Sequence, residues 1–324
     1  MDKNMATAPV AQEGTGALLV FLSAVAWSFG GALARYLDIA DSWTVVFWRG
    51  LFAGLFLLGF LLLRDGPLKT LSLYRNMGVP GLLVAFGFAV ASSCFVIAIS
   101  YTTVANVVLI QAGVPLFAAL IAWILFRERV TFATWLAIVA VIAGVAIMVA
   151  GGPLLAVLAG DEAQGAGAGA GADYPMAWFG NLLALAIAIV FAMTTVVTRR
   201  FPNVRQTPGA SLGCFAACAF AATQASGFAV TPGEFGVLFV FGALNLGLGM
   251  ALFVTGARLI PSAFAALLGT AETMLGPVWV AIFHGEVPGP ETVVGGLIIL
   301  AALIFYLSKA LKRQAPAPAI AAKP

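Results

Sequence analysis

The chain has 324 residues, of which 62% are hydrophobic and only 9% charged, with a formal net charge of +3. Soluble domains carry roughly 25% charged residues, so this composition cannot cover a water-facing surface and excludes a soluble globular domain. Apolar runs of about 20 residues, each long enough to cross a hydrocarbon core of about 30 Å as a helix, follow one another. Backbone groups in lipid must be satisfied within their own segment and the period-2 alternation of a barrel is absent. The expected fold is therefore all-α and polytopic, with ten transmembrane helices.

The first predicted span, 15–37, holds Trp27 near its middle. Its Ala24-Val25-Ala26 looks like a signal-cleavage pattern, but Asp2 and Glu13 against Lys3 make a poor positive start, so the span is expected to be retained. The second, 43–63, carries Arg49 about two turns in from its outer end. Arg49 is expected to snorkel outward towards Asp41 or Glu291 in a structural role, with binding of a solute carboxylate as the alternative. The span ends at the turn signal "RDGPLK". The third, 77–99, holds Ser92, Ser93 and Cys94; the fourth, 103–126, holds Asn106, Gln111 and Pro115 and ends at "RERVT". After the fifth, 132–151, comes "GDEAQGAGAGAGADYP" (160–175), whose glycines and alanines make a flexible connector.

The sixth span, 176–198, carries Thr194 and Thr195 and ends at "RRFPNVRQTPG". The seventh, 209–230, holds Cys214 and Cys218 on one face, read as small packing residues rather than a disulfide pair. Its Gly209/Gly213, like Gly50/Gly54 in the second span, permit close helix packing. The eighth, 235–257, holds Asn245 and Thr255; the ninth, 261–283, holds Thr270, Glu272 and Pro277; the tenth is 290–309. Of the 16 Lys and Arg, only Arg35 falls outside when the N-terminus is cytoplasmic, and Arg49 lies within a span. That bias predicts both termini in the cytoplasm. The basic residues are dispersed over separate short loops, which argues against a nucleic-acid partner.

The connector divides the chain into a first five-helix repeat (1–151), a periplasmic linker (152–175), a second repeat (176–309) and a disordered cytoplasmic tail (310–324). A shift of 158 residues lays Ala105, Leu109, Ile124 and Glu128 on Ala263, Leu267, Ile282 and Glu286. A shift of 164 lays Gly16, Leu18, Leu19, Ala24 and Arg35 on Gly180, Leu182, Leu183, Ala188 and Arg199. Because each half has an odd number of spans, the repeats are expected to be inverted, an architecture that transporters use. The pointer to a binding site is a pair of Gly/Pro-interrupted spans in matching positions: "IQAGVPLF" in the fourth and "ETMLGPVW" in the ninth. Pro115 removes the donor for the carbonyl of Gln111, and Pro277 that for Thr273.

The chain resembles the drug/metabolite transporter superfamily, and within it the ten-helix EamA-type members. The resemblance is carried from Leu18 to Lys309 by "AWSFGGALAR", "VVFWRG", "VANVVLIQAGVPLFAALIAWILFRERVT" and "SAFAALLGTAETMLGPVWVAIFHGEVP". Family members more usually show Glu-Pro where this chain has Glu272-Thr273. The resemblance implies a carrier of small organic solutes in a bacterial-type inner membrane, commonly an exporter of amino acids, aromatic ones included, or related metabolites. It also implies a cavity built from the first, third, fourth, sixth, eighth and ninth spans. On that basis Trp27, Ser93, Gln111, Thr195, Asn245 and Glu272 are the expected substrate-binding residues. Glu272 would either hold a substrate ammonium or take up a coupling proton, because a carboxylate at membrane depth is costly unless paired, protonated or wetted. Pro115 and Pro277 are expected kink residues, and Glu128 and Glu286 expected gate partners on opposite faces.

One histidine, no HExxH, no GxSxG and no acidic cluster leave little for an intramembrane enzyme. No catalytic residue, metal site or cofactor is expected. The expected partners are a small-molecule substrate, the lipid bilayer and protons as coupling ion. A lipid scramblase or flippase groove is the rival reading, because its groove would carry a similar sequence.

Overall fold

The computed structural model describes residues 10–127, 132–158, 175–201, 204–257, 259–260 and 262–314. All regular structure among them is helical. The first span is two helices, α1 (Val10–Ser28) and α2 (Gly30–Arg35), separated at Phe29. Asp41 then caps α3 (Ser42–Asp65), accepting from the Trp43 amide at 2.9 Å. Burial pushes the Asp41 carboxyl up, but bonds from the Ser226 and Trp43 amides and from the Ser226 and Thr44 hydroxyls outweigh that and hold it below the ordinary carboxylate value. These bonds, with Thr44 Oγ1 donating to the Gly227 carbonyl at 2.7 Å, tie the 225–231 loop to the start of α3.

A short helix, α4 (Pro67–Arg75), fills the stretch read as a loop, started by Pro67 in the first turn, where no amide donor is needed. α5 (Gly78–Tyr101) is continuous, and Thr103 separates it from α6 (Val104–Gln111), accepting from the Asn106 amide at 3.2 Å. α7 (Val114–Phe126) follows at a bend of 42°. α8 (Phe132–Leu158) runs seven residues into the stretch read as connector, and α14 (Pro290–Gln314) likewise passes 309. Between them lie α9 (Ala177–Arg200), α10 (Gln206–Gln224), α11 (Pro232–Phe239), a π-helical segment (Val240–Leu248), α12 (Gly249–Gly256) and α13 (Ser262–His284). Among the described residues, five helices are long and apolar enough to cross a membrane, and a sixth if the bent pair α6–α7 is one span. Large apolar side chains point outward, among them Leu63 (92% exposed), Leu68 and Phe132, the expected surface of a protein solvated by lipid.

The helices of the two halves interlock. α3 packs on α10, α8 on α14 and α6 on α13; α5 packs on α9 as α1 packs on α12, and α6–α7 pack on α9 as α13 packs on α1. α5 against α10 has its counterpart in α3 against the π segment. Exchanging the halves carries these packed pairs into one another, so the weak sequence repeat has a structural counterpart. The largest core lies between α5, α6–α7, α8, α9 and α14 around Ile110, Leu116, Ile187 and Ile299; a second, with Leu57, Val84, Cys214 and Met250, joins α3, α5, α10 and α12.

Close backbone approach sets the α3–α10–α5 contact. A Cβ on Gly50 would lie 2.8 Å from the Cys214 carbonyl, and one on Gly213 would meet the Ala85 carbonyl and lie 2.8 Å from Phe88 Cβ. Since backbone cannot move aside as a side-chain tip does, Gly213→Val is expected to destabilise the fold by about 1–3 kcal/mol. A lowered apparent melting temperature of the purified protein is the readout; an unchanged one removes the packing argument.

Candidate functional site

The break in the first span is held open from the other half. Interrupting a helix leaves carbonyls without amide donors. Asn245 supplies them, its Nδ2 donating to the Ala26 carbonyl at 2.6 Å and the Trp27 carbonyl at 3.2 Å, while Ser28 Oγ donates to the Val25 carbonyl at 2.7 Å. Gly30 leaves room for that amide: a Cβ there would stand 3.3 Å from Asn245 Oδ1. Asn245 itself belongs to the π segment, a helix form frequent at functional sites. Beside it the Trp27 ring packs on Phe253 at 5.5 Å, and its Nε1 is buried with no hydrogen-bond partner among the described residues. That donor is pressed against α12 at Gly249, where an added Cβ would collide with the indole, so a solute can satisfy it only if α1 and α12 part.

One end of the molecule is clasped shut across the halves. The α13 side chain Trp279 stacks on Phe29 at 4.7 Å and donates from Nε1 to Ser28 Oγ at 2.9 Å. A turn further on, His284 Nε2 lies 3.0 Å from the Ala32 carbonyl under the edge of Tyr36. Gly285, at φ +67°, then turns the chain so that Glu286 points back inward. Glu286 Oε2 accepts from Arg35 Nε at 2.9 Å and Oε1 from the Val104 amide at 2.9 Å. Arg35 also donates to the carbonyls of Ile99 at 2.6 Å and Thr102 at 3.1 Å.

A buried polar chain continues from there. Thr102 Oγ1 donates to Asn181 Oδ1 at 2.8 Å, Asn106 Nδ2 donates to Thr102 Oγ1 at 3.1 Å, and Thr292 Oγ1 donates to Asn106 Oδ1 at 2.5 Å. α2, the α5–α6 corner, α9, α13 and α14 thus share one network in which charge-assisted bonds carry the cross-half contact. Arg35 and Glu286 are legible in the sequence as polar residues at one end, but their pairing, and the parts of Asn181 and Thr292, are not: the partners lie far apart in the chain and no spacing rule joins them.

The residues expected to bind substrate are placed unequally. Trp27 and Asn245 come together at the α1–α2 break. Ser93 is buried and donates to the Ala89 carbonyl at 2.9 Å, Gln111 to that of Val107 at 3.1 Å, and the exposed Thr195 to that of Phe191 at 2.8 Å. Each of these three spends a donor on its own helix. Glu272 is half-buried on α13, without a hydrogen-bond partner among the described residues. Glu128 lies outside the described residues.

Pro115 sits beside a break, at the start of α7, whereas Pro277 lies inside a helix that continues from Ser262 to His284, so the ninth span is not interrupted as the fourth is. Pro115 occupies a first turn, where its missing amide costs nothing, whereas α13 tolerates the loss of one bond in a long helix packed on α1, α2, α6 and α14. The irregularities sit instead at Phe29 and in the π segment. Arg49 does not snorkel: it is 5% exposed, donates to Ser92 Oγ at 3.1 Å, and lies over the rings of Phe241 at 4.4 Å and Phe95 at 5.2 Å. Ring faces and a hydroxyl inside the protein compete successfully with a distant aqueous interface.

At the opposite end Arg205 Nη1 donates to both Asp65 carboxylate oxygens, at 3.0 and 2.9 Å, joining the start of α10 to the end of α3, with Lys69 at 3.3 Å. A shallow apolar depression lies near that end, lined by Pro80, Val84, Val197, Phe201, Val204 and Gln206. It touches none of the expected binding residues and has no charged wall.

The EamA-like transporter family matches the chain twice, over residues 14–150 and 178–308, one copy in each half. The chain is also 26% identical over 298 residues to a biotin transporter of Escherichia coli K12, covering 88% of this chain and 91% of the relative, and equally to a biotin transporter of Escherichia coli O157:H7. A solved crystal structure, 18% identical, superposes with a TM-score of 0.60 over 93% of this chain and 99% of that one, which shows a shared fold. Apolar helices long enough to cross a bilayer, helix pairs that correspond between the two halves, and two successive family matches lead to one conclusion: this chain is a multi-pass membrane protein that belongs to the EamA-like transporter family.

Proposed function

We propose that the chain is a secondary carrier that moves small organic solutes by alternating access between two inverted five-helix halves, with ten spans and both termini in the cytoplasm of an inner membrane. The observation that carries this reading is the clasp of Arg35, Glu286 and Val104, which joins the halves through bonds that a rocking motion can break and remake. A solute site beside Trp27 and Asn245, with Glu272 taking up the coupling proton, would then be exposed to one side at a time. Amino acids and related metabolites, moved outward, are the substrate class we assign. The relatives named as biotin transporters support a small organic solute bearing a carboxylate, a group that amino acids share.

Purified protein in liposomes tests the reading. Uptake of labelled amino acids by counterflow is expected, with no movement of fluorescent phospholipid between leaflets of the same vesicles. Lipid movement without solute flux would make the protein a scramblase.

A further inference from the structure

Arg49 is a charge that the clasp and the Trp27–Asn245 break leave unused. It lies about two turns from the start of α3, enclosed by α5 and the π segment rather than turned to lipid. Its neighbours are neutral: the hydroxyl and carbonyl of Ser92 on α5, the rings of Phe95 and Phe241, and the backbone of α10 behind Gly50. It takes part in no ion pair among the described residues, and its Nε is buried without a hydrogen-bond partner. A guanidinium is a planar fork built to hold a carboxylate by two parallel bonds, and here its Nε donor is unspent.

The wall facing it is a second, independent feature. Phe241 and Gly242 belong to the π segment, where the ordinary helical bonding pattern has already been given up. Gly242 lets that segment lie directly on the Arg49 backbone, a hypothetical Cβ coming within 2.6 Å of its carbonyl. A return of this segment towards ordinary helix would rotate Phe241 relative to the guanidinium and change access to it.

We infer that Arg49 is the anion-binding residue of the carrier, taking the carboxylate of a small organic acid on its free Nε edge. Ser92 fixes the guanidinium; Phe241 is fully buried and packed on it in this arrangement, so the acid reaches Nε only when the π segment moves Phe241 aside. This deepens the carrier reading and rests on it for its physiological meaning, but the site is testable by binding alone. The probes are phenylacetate and its neutral isostere phenylacetamide, titrated calorimetrically into the purified full-length protein. The acid is expected to bind at least about tenfold more tightly than the amide, a difference of about 1.4 kcal/mol.

Arg49→Gln is expected to bring the two within about twofold, and Arg49→Lys, which keeps charge but not the fork, to retain a preference of about threefold. Ser92→Ala, a smaller change that keeps the assay usable should Arg49→Gln fail to fold, is expected to weaken the acid severalfold and leave the amide unchanged. Equal binding of acid and amide by the native protein, binding of neither, or an undiminished preference in Arg49→Gln or Ser92→Ala would overturn the proposal. Flux is not needed for this readout: a protein that holds the acid without carrying it keeps the site and loses the carrier.

Discussion

Glu286→Gln is expected to loosen one end of the protein by about 2–4 kcal/mol, seen as faster amide hydrogen exchange across Ile99–Val107 and Gly30–Arg35 with no change across Gln206–Gln224. Glu286 accepts two bonds at once, from the Arg35 guanidinium and from the Val104 amide. Glutamine can satisfy one of them with its carbonyl oxygen but must turn an NH₂ group towards the other donor, and it carries no charge. Removing one member of a half-buried ion pair leaves the other without its partner, which costs more than the net worth of the pair. Because the ion pair keeps some exposure, at 20% and 15% of the two side chains, the loss is expected below that of a fully buried pair.

Such a loss, confined to the closed arrangement of this end, shifts a two-state equilibrium by about thirtyfold to a thousandfold. Net accumulation of solute should fall accordingly, because a carrier that cannot close leaks its gradient. The double exchange Arg35→Glu with Glu286→Arg is expected not to restore the clasp. A carboxylate at position 35 would face the carbonyls of Ile99 and Thr102, and an arginine at 286 the Val104 amide. Rescue by that exchange would show simple charge attraction rather than the fitted network; unchanged exchange in Glu286→Gln would remove the clasp altogether.

The helix positions were the most legible part of the sequence, because apolar runs bounded by "RDGPLK", "RERVT" and "RRFPNVRQTPG" can be read without tertiary knowledge. The bend at Ala112–Gly113 was also legible, from Pro115. Breaks that depend on a partner were not. Gly30-Gly31 beside Phe29 weakens the helix there, but the side chain that stabilises the interruption, Asn245, lies in the other half and no spacing rule points to it. The π segment is equally silent: "VFGALNLGL" reads as ordinary apolar helix, and only its packing on α3 explains why an expanded turn is tolerated. For single polar residues the sequence fixes depth but not direction. Ser93 and Ser92 illustrate the difference: the first bonds its own helix, while the second, one residue earlier and about 100° around it, reaches Arg49.

Glu272→Gln is expected to abolish the dependence of net transport on a pH gradient while leaving exchange of substrate for substrate within about threefold of native. A charged side chain at the centre of a span costs about 2.5–3.5 kcal/mol on insertion scales, and Glu272 has no ion-pair partner among the described residues to offset this. Glutamine is nearly isosteric with the neutral acid, so α13 should still pack on α1, α2 and α6. What glutamine cannot do is release a proton after the halves have exchanged access. Exchange needs only the loaded carrier to cycle and therefore survives; accumulation driven by an imposed gradient of about one pH unit, equivalent to about 1.4 kcal/mol per proton, does not. Proteoliposomes measured both ways separate the roles. Gradient-driven accumulation that persists in Glu272→Gln would exclude this residue as the coupling group. Loss of exchange together with accumulation would assign Glu272 to holding the solute or the fold.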